Sequence, residues 1–340
     1  MKAAVFYGIG DVRLQEVPIP DVGPGEVLVR IRAALTCGTD RKMYLRGYHL
    51  VKAPFILGHE FAGEVVEVGE GVDGFEVGMR VVAANSAPCN QCFFCKIGRE
   101  SLCDNLTFKH EGGFAEYTKV PAPIVRQNLL AVPDGVSFQE AALTEPLSCV
   151  VHGVEESGIR LGDTVVINGA GPIGLMYTCL ARLKGARVIV TDLSEERLQI
   201  ARRLGADEVV HASNGSTVET VRGLTRSARG VDVAVEAVGL PEVWEKTVAM
   251  TRKGGIVILF GGPPAGTSIT IDTRLLHYSE LTLRGIFHHT PRYVRRALDL
   301  ISYGKIPTDE LITHEMPLAN FSRVLEMLVN HQGVKIAVTP

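Results

Sequence analysis

The sequence predicts an α/β protein in which a β-rich part is joined to a doubly wound parallel sheet. Three observations predict it: a change of character near residue 150, a glycine-rich turn closing an apolar strand, and strands that alternate with helix-like stretches beyond that turn. Before residue 150 the chain runs in short β-rich segments such as Glu26–Arg32 and Gly63–Gly69, bounded by Gly, Pro or Asp. The first alternates with period two, as a half-buried strand does. After it come strand Thr164–Asn168 and helix Ile173–Lys184, then strand Arg187–Thr191 and helix Glu195–Leu204. Val231–Glu236 and Gly255–Phe260 read as further strands. Such alternation buries both faces of a sheet under helices and makes the sheet parallel. Amphipathic stretches at Arg292–Ser302 and Phe321–Val329 follow with no second glycine-rich turn, and this C-terminal part is expected to pack back on the first domain.

The glycine-rich turn is Gly169-Ala170-Gly171-Pro172-Ile173-Gly174, a G-x-G-x-x-G pattern. Three glycines recur by chance in a chain with 36 of them, so the context carries the assignment. The turn follows an apolar strand, opens a helix, and precedes a second strand that ends at Asp192. Glycine lets backbone approach a pyrophosphate, whose charge then faces the positive end of the helix dipole. Asp192 is placed to accept hydrogen bonds from an adenosine ribose and to repel a 2′-phosphate, which favours NAD over NADP. Arg197 and Arg202 are near enough in sequence to reach the adenosine end and tolerate a phosphate.

Two sets of metal-ligating residues precede the sheet. Cys89, Cys92, Cys95 and Cys103 have the spacing C-x2-C-x2-C-x7-C. Zinc bound by four thiolates has no position left for a substrate, so this set is expected to brace a loop. Cys37, in Thr36-Cys37-Gly38-Thr39-Asp40, and His59-Glu60, after Gly58, form the second set. A mixed thiolate, imidazole and carboxylate site suits zinc and can keep a position open for an oxygen ligand. Two zinc ions per chain are therefore expected, with different jobs. Cys149 and Cys179 remain, in apolar surroundings, and read as small buried hydrophobes.

Composition narrows the function. With 340 residues, 46% hydrophobic and 21% charged, and a formal net charge of -3, the chain has no basic surplus for nucleic acid or an anionic membrane. The uncharged run Thr164–Ala181 is interrupted by Asn168, Pro172 and three glycines, so it reads as strand, turn and helix and not as a membrane span. The start lacks the long apolar core of a secretory signal, and clustered cysteines in odd number fit metal ligation in a reducing compartment. A cytoplasmic location is the expectation.

Taken together, Cys37-Gly38-Thr39-Asp40, Gly58-His59-Glu60, the four-cysteine lobe, Gly112-Gly113-Phe114-Ala115-Glu116-Tyr117, Glu145-Pro146-Leu147-Ser148 and the glycine turn resemble the zinc-dependent medium-chain dehydrogenases over nearly the whole length, and most of all their polyol, sorbitol-type branch. The resemblance implies a GroES-like catalytic domain at 1–149 and 288–340, a Rossmann NAD-binding domain at 150–287, an active-site cleft between them, and a homodimer or homotetramer. It implies that Cys37 and His59 bind the catalytic zinc, and that Glu145, where simple alcohol dehydrogenases carry a second cysteine, reaches it directly or through water. Glu60 is a ligand or a ligand-exchange partner. The implied reaction passes a hydride from a zinc-polarised secondary alcohol, a polyol for this branch, to NAD, giving a ketone.

Two departures stand out. Thr39, two residues after Cys37, is the candidate first relay hydroxyl; Lys42 stands where many members carry a histidine, which leaves the relay to run from Thr39 through ribose and water or to use His49. His288 stands where sorbitol-type enzymes carry an arginine that holds a polyol; Tyr44, Phe108 and His110 are further pocket candidates. An L-threonine 3-dehydrogenase-like enzyme is the second reading, ranked lower because that branch usually places aspartate at the position of Glu145. A zinc-stabilised nucleotide-binding protein without turnover is the third, opposed by the retained Cys37, His59 and Glu145.

Overall fold

The computed structural model describes residues 1–47, 52–109, 112–213 and 215–340. The chain divides into two compact units, Met1–Cys149 with His289–Pro340, and Val150–His288. His49 and His110 lie outside the described residues.

The first unit is organised on the antiparallel strands Val27–Leu35 and Glu60–Val68, whose register runs from Val27 opposite Val68 to Leu35 opposite Glu60. The sheet continues through Arg80–Ala83 to Leu129–Ala131 on one side, and through Lys335–Thr339 to Ile312–Pro317 on the other. In the first strand Val29 and Ile31 are buried while Arg30 and Arg32 are exposed, which is the expected alternation. The strand extends past Arg32 to Leu35 because Ala33, Ala34 and Leu35 are all buried, with neighbours on both sides. Phe61, Phe114, Ile124, Phe321 and Val324 share one apolar core. The Phe114 and Phe321 rings lie 4.8 Å apart. Each such side chain contributes about 1.5–3 kcal/mol by leaving water. The C-terminal helices Pro291–Ser302 and Phe321–Val329 belong to this unit.

The registers at one sheet end matter most for the site. Leu35 pairs with Glu60 and also with Ala337, so the residues just past Leu35, just before Glu60 and just before Ala337 are brought to one place.

The second unit holds a six-stranded parallel sheet in the spatial order Glu208–His211, Arg187–Asp192, Thr164–Asn168, Val231–Glu236, Thr251–Leu259, Thr282–Gly285. In the unit's own chain order this is 3-2-1-4-5-6, the doubly wound arrangement. The strand expected at Gly255–Phe260 starts earlier, at Thr251, because Val231 pairs with Thr251 before an irregularity in the ladder. The two outer strands escape sequence reading because they are short and partly polar. No helix among the described residues is long and apolar enough to cross a membrane.

Candidate functional site

At the end of strand Val27–Leu35 the chain turns into helix Gly38–Arg46, and Cys37 is its N-cap. The Thr39 amide donates to Cys37 Sγ at 3.4 Å, while the Asp40 carboxylate accepts from the Cys37 amide at 2.8 Å. The thiol is thus held in place by the start of the helix. Gly58 delivers His59 from the neighbouring strand. It has φ 91, and a Cβ there would come within 2.9 Å of the Phe114 backbone nitrogen, so no larger residue fits.

Cys37, His59 and Glu60 each present a ligand atom within 4.8 Å of the others. His59 and Glu60 are buried. Asp40 Oδ1 stands 3.6 Å from His59 Nδ1 and orients the ring, as a carboxylate behind a ligating imidazole does. Burial opposes the charged imidazole, yet the neighbouring Cys37 and Asp40 hold the His59 pKa well above its ordinary value. Glu145, in the first turn of helix Thr144–Ser157, is not a member of this three-residue group. It is buried, and burial pushes its carboxyl up to about 7. Its Oε1 lies 3.8 Å from His289 Nε2, which itself bonds Asn85 Oδ1 at 3.0 Å. Thr39 is half-buried and Lys42 exposed on the same helix. Tyr44 packs against the apolar core.

The four-cysteine lobe is separate. Cys89, Cys92, Cys95 and Cys103 place their sulfurs within 4.8 Å of one another. Cys92 Sγ is 3.6 Å from Cys95 Sγ and 3.8 Å from Cys103 Sγ. A tetrahedral ion with metal–sulfur bonds of about 2.3 Å requires sulfur–sulfur edges of about 3.8 Å, so the set fits zinc. Amides of Gln91 and Cys92 donate to Cys89 Sγ at 3.4 and 3.3 Å and pull its pKa down to about 6. Of the two remaining cysteines, Cys179 is buried as expected and Cys149 half-buried. The mixed set also fits a metal: Glu60 Oε1 is buried with no hydrogen-bond partner, a state that is costly unless a cation satisfies it.

In the second unit the glycine turn closes strand Thr164–Asn168 and opens helix Pro172–Leu183, with Gly171 as N-cap and Pro172 at its first position. The helix begins one residue before Ile173 because proline's fixed φ suits that position. A Cβ on Gly174 would approach Gly169 O to 1.7 Å, so the helix can sit this close to the strand only with glycine there. At Gly171 a Cβ would meet nothing within 4 Å, which leaves bare backbone beside open space. The amides of Ile173 and Gly174 lie in the first turn, where donors have no acceptor inside the helix. This cradle fits a pyrophosphate. Asp192 Oδ2 accepts from the Ala170 amide at 2.6 Å and Oδ1 from the Ser194 amide at 2.8 Å, so the carboxylate also braces the turn. Each oxygen keeps a further lone pair for a ribose hydroxyl. Arg197 follows in the next helix, its amide bonded to Ser194 Oγ at 3.4 Å. His288 adopts φ 62, and its carbonyl accepts from His152 Nδ1 at 2.7 Å.

Residues that sequence reading missed are Asp40, Asn85, His289 and Lys335. Asp40 was detectable as the third residue after a capping Cys37; the others come from segments far apart in the chain.

Known proteins resemble this chain over both units. Residues 23–134 match the alcohol dehydrogenase GroES-like domain, and residues 172–303 match the zinc-binding dehydrogenase domain. A sorbitol dehydrogenase of Bacillus subtilis is 33% identical over 100% of this chain and 97% of its own. An L-threonine 3-dehydrogenase of Pseudoalteromonas translucida is 31% identical over 95% of this chain and 94% of its own. A zinc-binding dehydrogenase of Sinorhizobium meliloti, solved bound to NADP, superposes with a TM-score of 0.91 at 34% identity, covering 100% of this chain and 99% of that one. With likeness spanning both units and nearly every residue, the chain belongs to the zinc-binding alcohol dehydrogenase family, alongside the sorbitol dehydrogenases.

Proposed function

We propose that this chain oxidises a secondary alcohol, a polyol in the first instance, to a ketone with NAD as hydride acceptor. The observation that carries the reading is the buried mixed donor set of Cys37, His59 and Glu60, separate from a closed four-cysteine cage. When bound there, zinc would supply Lewis acidity toward an alcohol oxygen, and the nicotinamide a hydride acceptor. The protein's own tasks then follow. Cys37 and His59 hold the metal, with Glu60 in the same donor group and Glu145 as a further carboxylate that reaches it directly or through water. Asp40 fixes the His59 ring. The Thr39 hydroxyl is the first acceptor in the path by which the alcohol proton leaves, and exposed Lys42 replaces no histidine function there, because an ammonium is a poor proton acceptor. Gly169, Gly171, Pro172, Ile173 and Gly174 receive the pyrophosphate of NAD, with Asp192 at the ribose and Arg197 over the adenosine end.

The test is a substrate panel followed by NADH absorbance: sorbitol and xylitol, a 2,3-diol, L-threonine, and ethanol, each with NAD and NADP. The highest kcat/KM is expected on a polyol with NAD. A maximum on L-threonine would move the chain to the second reading, which the likeness to a threonine dehydrogenase supports. No turnover with any of them would leave the non-catalytic reading. Metal analysis is expected to return about two zinc ions per chain, and a value near one would leave only the cysteine lobe filled.

Asp192→Ala should shift preference toward NADP, the NAD/NADP ratio of kcat/KM falling about tenfold or more, the amount that one hydrogen-bonded anionic contact is worth. Because Asp192 also braces Ala170 and Ser194, both cofactors should weaken, NAD more. An unchanged ratio would reject the ribose role. We further propose a homodimer or homotetramer, testable by light scattering, and a cytoplasmic location, which suits cysteines grouped as metal ligands and is testable by fractionation.

A further inference from the structure

Lys335 begins the C-terminal strand, and only 1% of it is exposed. Its ammonium donates to Glu60 Oε2 at 2.5 Å and to the Thr36 carbonyl at 3.0 Å. The same strand end grips Thr36 twice more: the Ile336 amide donates to Thr36 Oγ1 at 3.0 Å, and the Thr36 amide to Ile336 O at 3.1 Å. Thr36 precedes Cys37 and Glu60 follows His59, so one lysine holds the neighbour of each of the two principal donors. Glu60 is fully buried, and its two oxygens are treated differently: Oε2 faces the ammonium, whereas Oε1 has no hydrogen-bond partner and belongs to the residue grouped with Cys37 and His59.

A buried lysine is expensive to desolvate, and well-packed apolar residues in place of the ion pair would cost less, so the pair needs a reason beyond stability. Charge supplies one. A carboxylate with no cation partner binds a metal with its full negative charge and fills a coordination position; one that already neutralises an ammonium does so more weakly.

We propose that Lys335 is a positioning residue that shares Glu60 with the metal, restraining the carboxylate so that a coordination position stays available to substrate. The inference rests on the reading that the Cys37 set holds zinc. Lys335→Met frees Glu60 to close on the ion, so zinc leaves more slowly and the substrate competes less well. Glu60→Gln keeps an acceptor for the ammonium but removes the charge, so zinc leaves faster. Lys335→Arg keeps the cation and should stay near the wild type.

The experiment uses the full chain loaded with zinc, followed by release to a chromogenic chelator, and with cobalt(II), followed by visible absorption. For Lys335→Met, release from the second site should slow about tenfold, kcat should fall, and the cobalt d–d bands should weaken as the coordination number rises, within the 10–100-fold range of residues behind a metal ligand. Glu60→Gln should speed release by a similar factor, and it serves as the decisive variant should Lys335→Met not fold. Release at the wild-type rate in both variants, with unchanged cobalt bands, would overturn the proposal and leave a purely structural ion pair. A wild-type chain that carries a single zinc in its cysteine lobe would instead overturn the metal-site reading itself.

Discussion

Cys37→Ser is expected to lower turnover by more than about 100-fold, beyond what even residues behind a metal ligand cost, and to remove about one of two zinc ions per chain. The loss is chemical and not structural. Cys37 caps helix Gly38–Arg46, and serine is among the best capping residues, so the helix keeps its start. Serine, however, does not ionise near neutral pH and offers no thiolate to the metal. Circular dichroism and dinucleotide binding should therefore be almost unchanged while zinc content and activity fall. Survival of activity would show that Cys37 does not hold the reacting centre.

Cys92→Ser should have the opposite signature. Cys92 likewise stands at a helix N-cap, before the short helix Phe93–Lys96, so serine again preserves local backbone preference. Its sulfur, 3.6 and 3.8 Å from those of Cys95 and Cys103, is an edge of the tetrahedral set. Structural zinc contributes of order 10 kcal/mol to small domains that depend on it, so a melting temperature lower by about 10 °C or more is expected, with zinc content reduced. The mixed centre is a separate group of residues, so kcat per remaining folded chain should change little. Calorimetry with metal analysis checks this, and an unchanged melting temperature would count against a bracing role.

How much of this was legible in the sequence depends on chain distance. The four cysteines lie within 15 residues, and the glycine turn within six, so spacing alone carries their chemistry. Cys37 and His59 are recognisable because each stands beside a glycine, in Cys37-Gly38 and Gly58-His59, and both are ligand types that zinc accepts. Lys335 is not: 275 residues separate it from Glu60, and in sequence it is an ordinary cation in a short apolar run. His289 and Asn85, 204 residues apart, are equally silent until the chain is folded. The expectation that Glu145 reaches the metal came from a resemblance, and the fold places it beside His289 and outside the three-residue donor group.

The amino-acid sequence by itself determined the alternation that makes a parallel sheet, the glycines without which backbone cannot come close enough to a pyrophosphate, and the two donor sets, because these are properties of neighbouring residues. Only the tertiary structure decided which carboxylates and cations stand behind those donors. That decision is made by strand register: pairing Leu35 with both Glu60 and Ala337 brings Cys37, His59 and Lys335 to one sheet end, and a shift of one residue would turn their side chains to the opposite face.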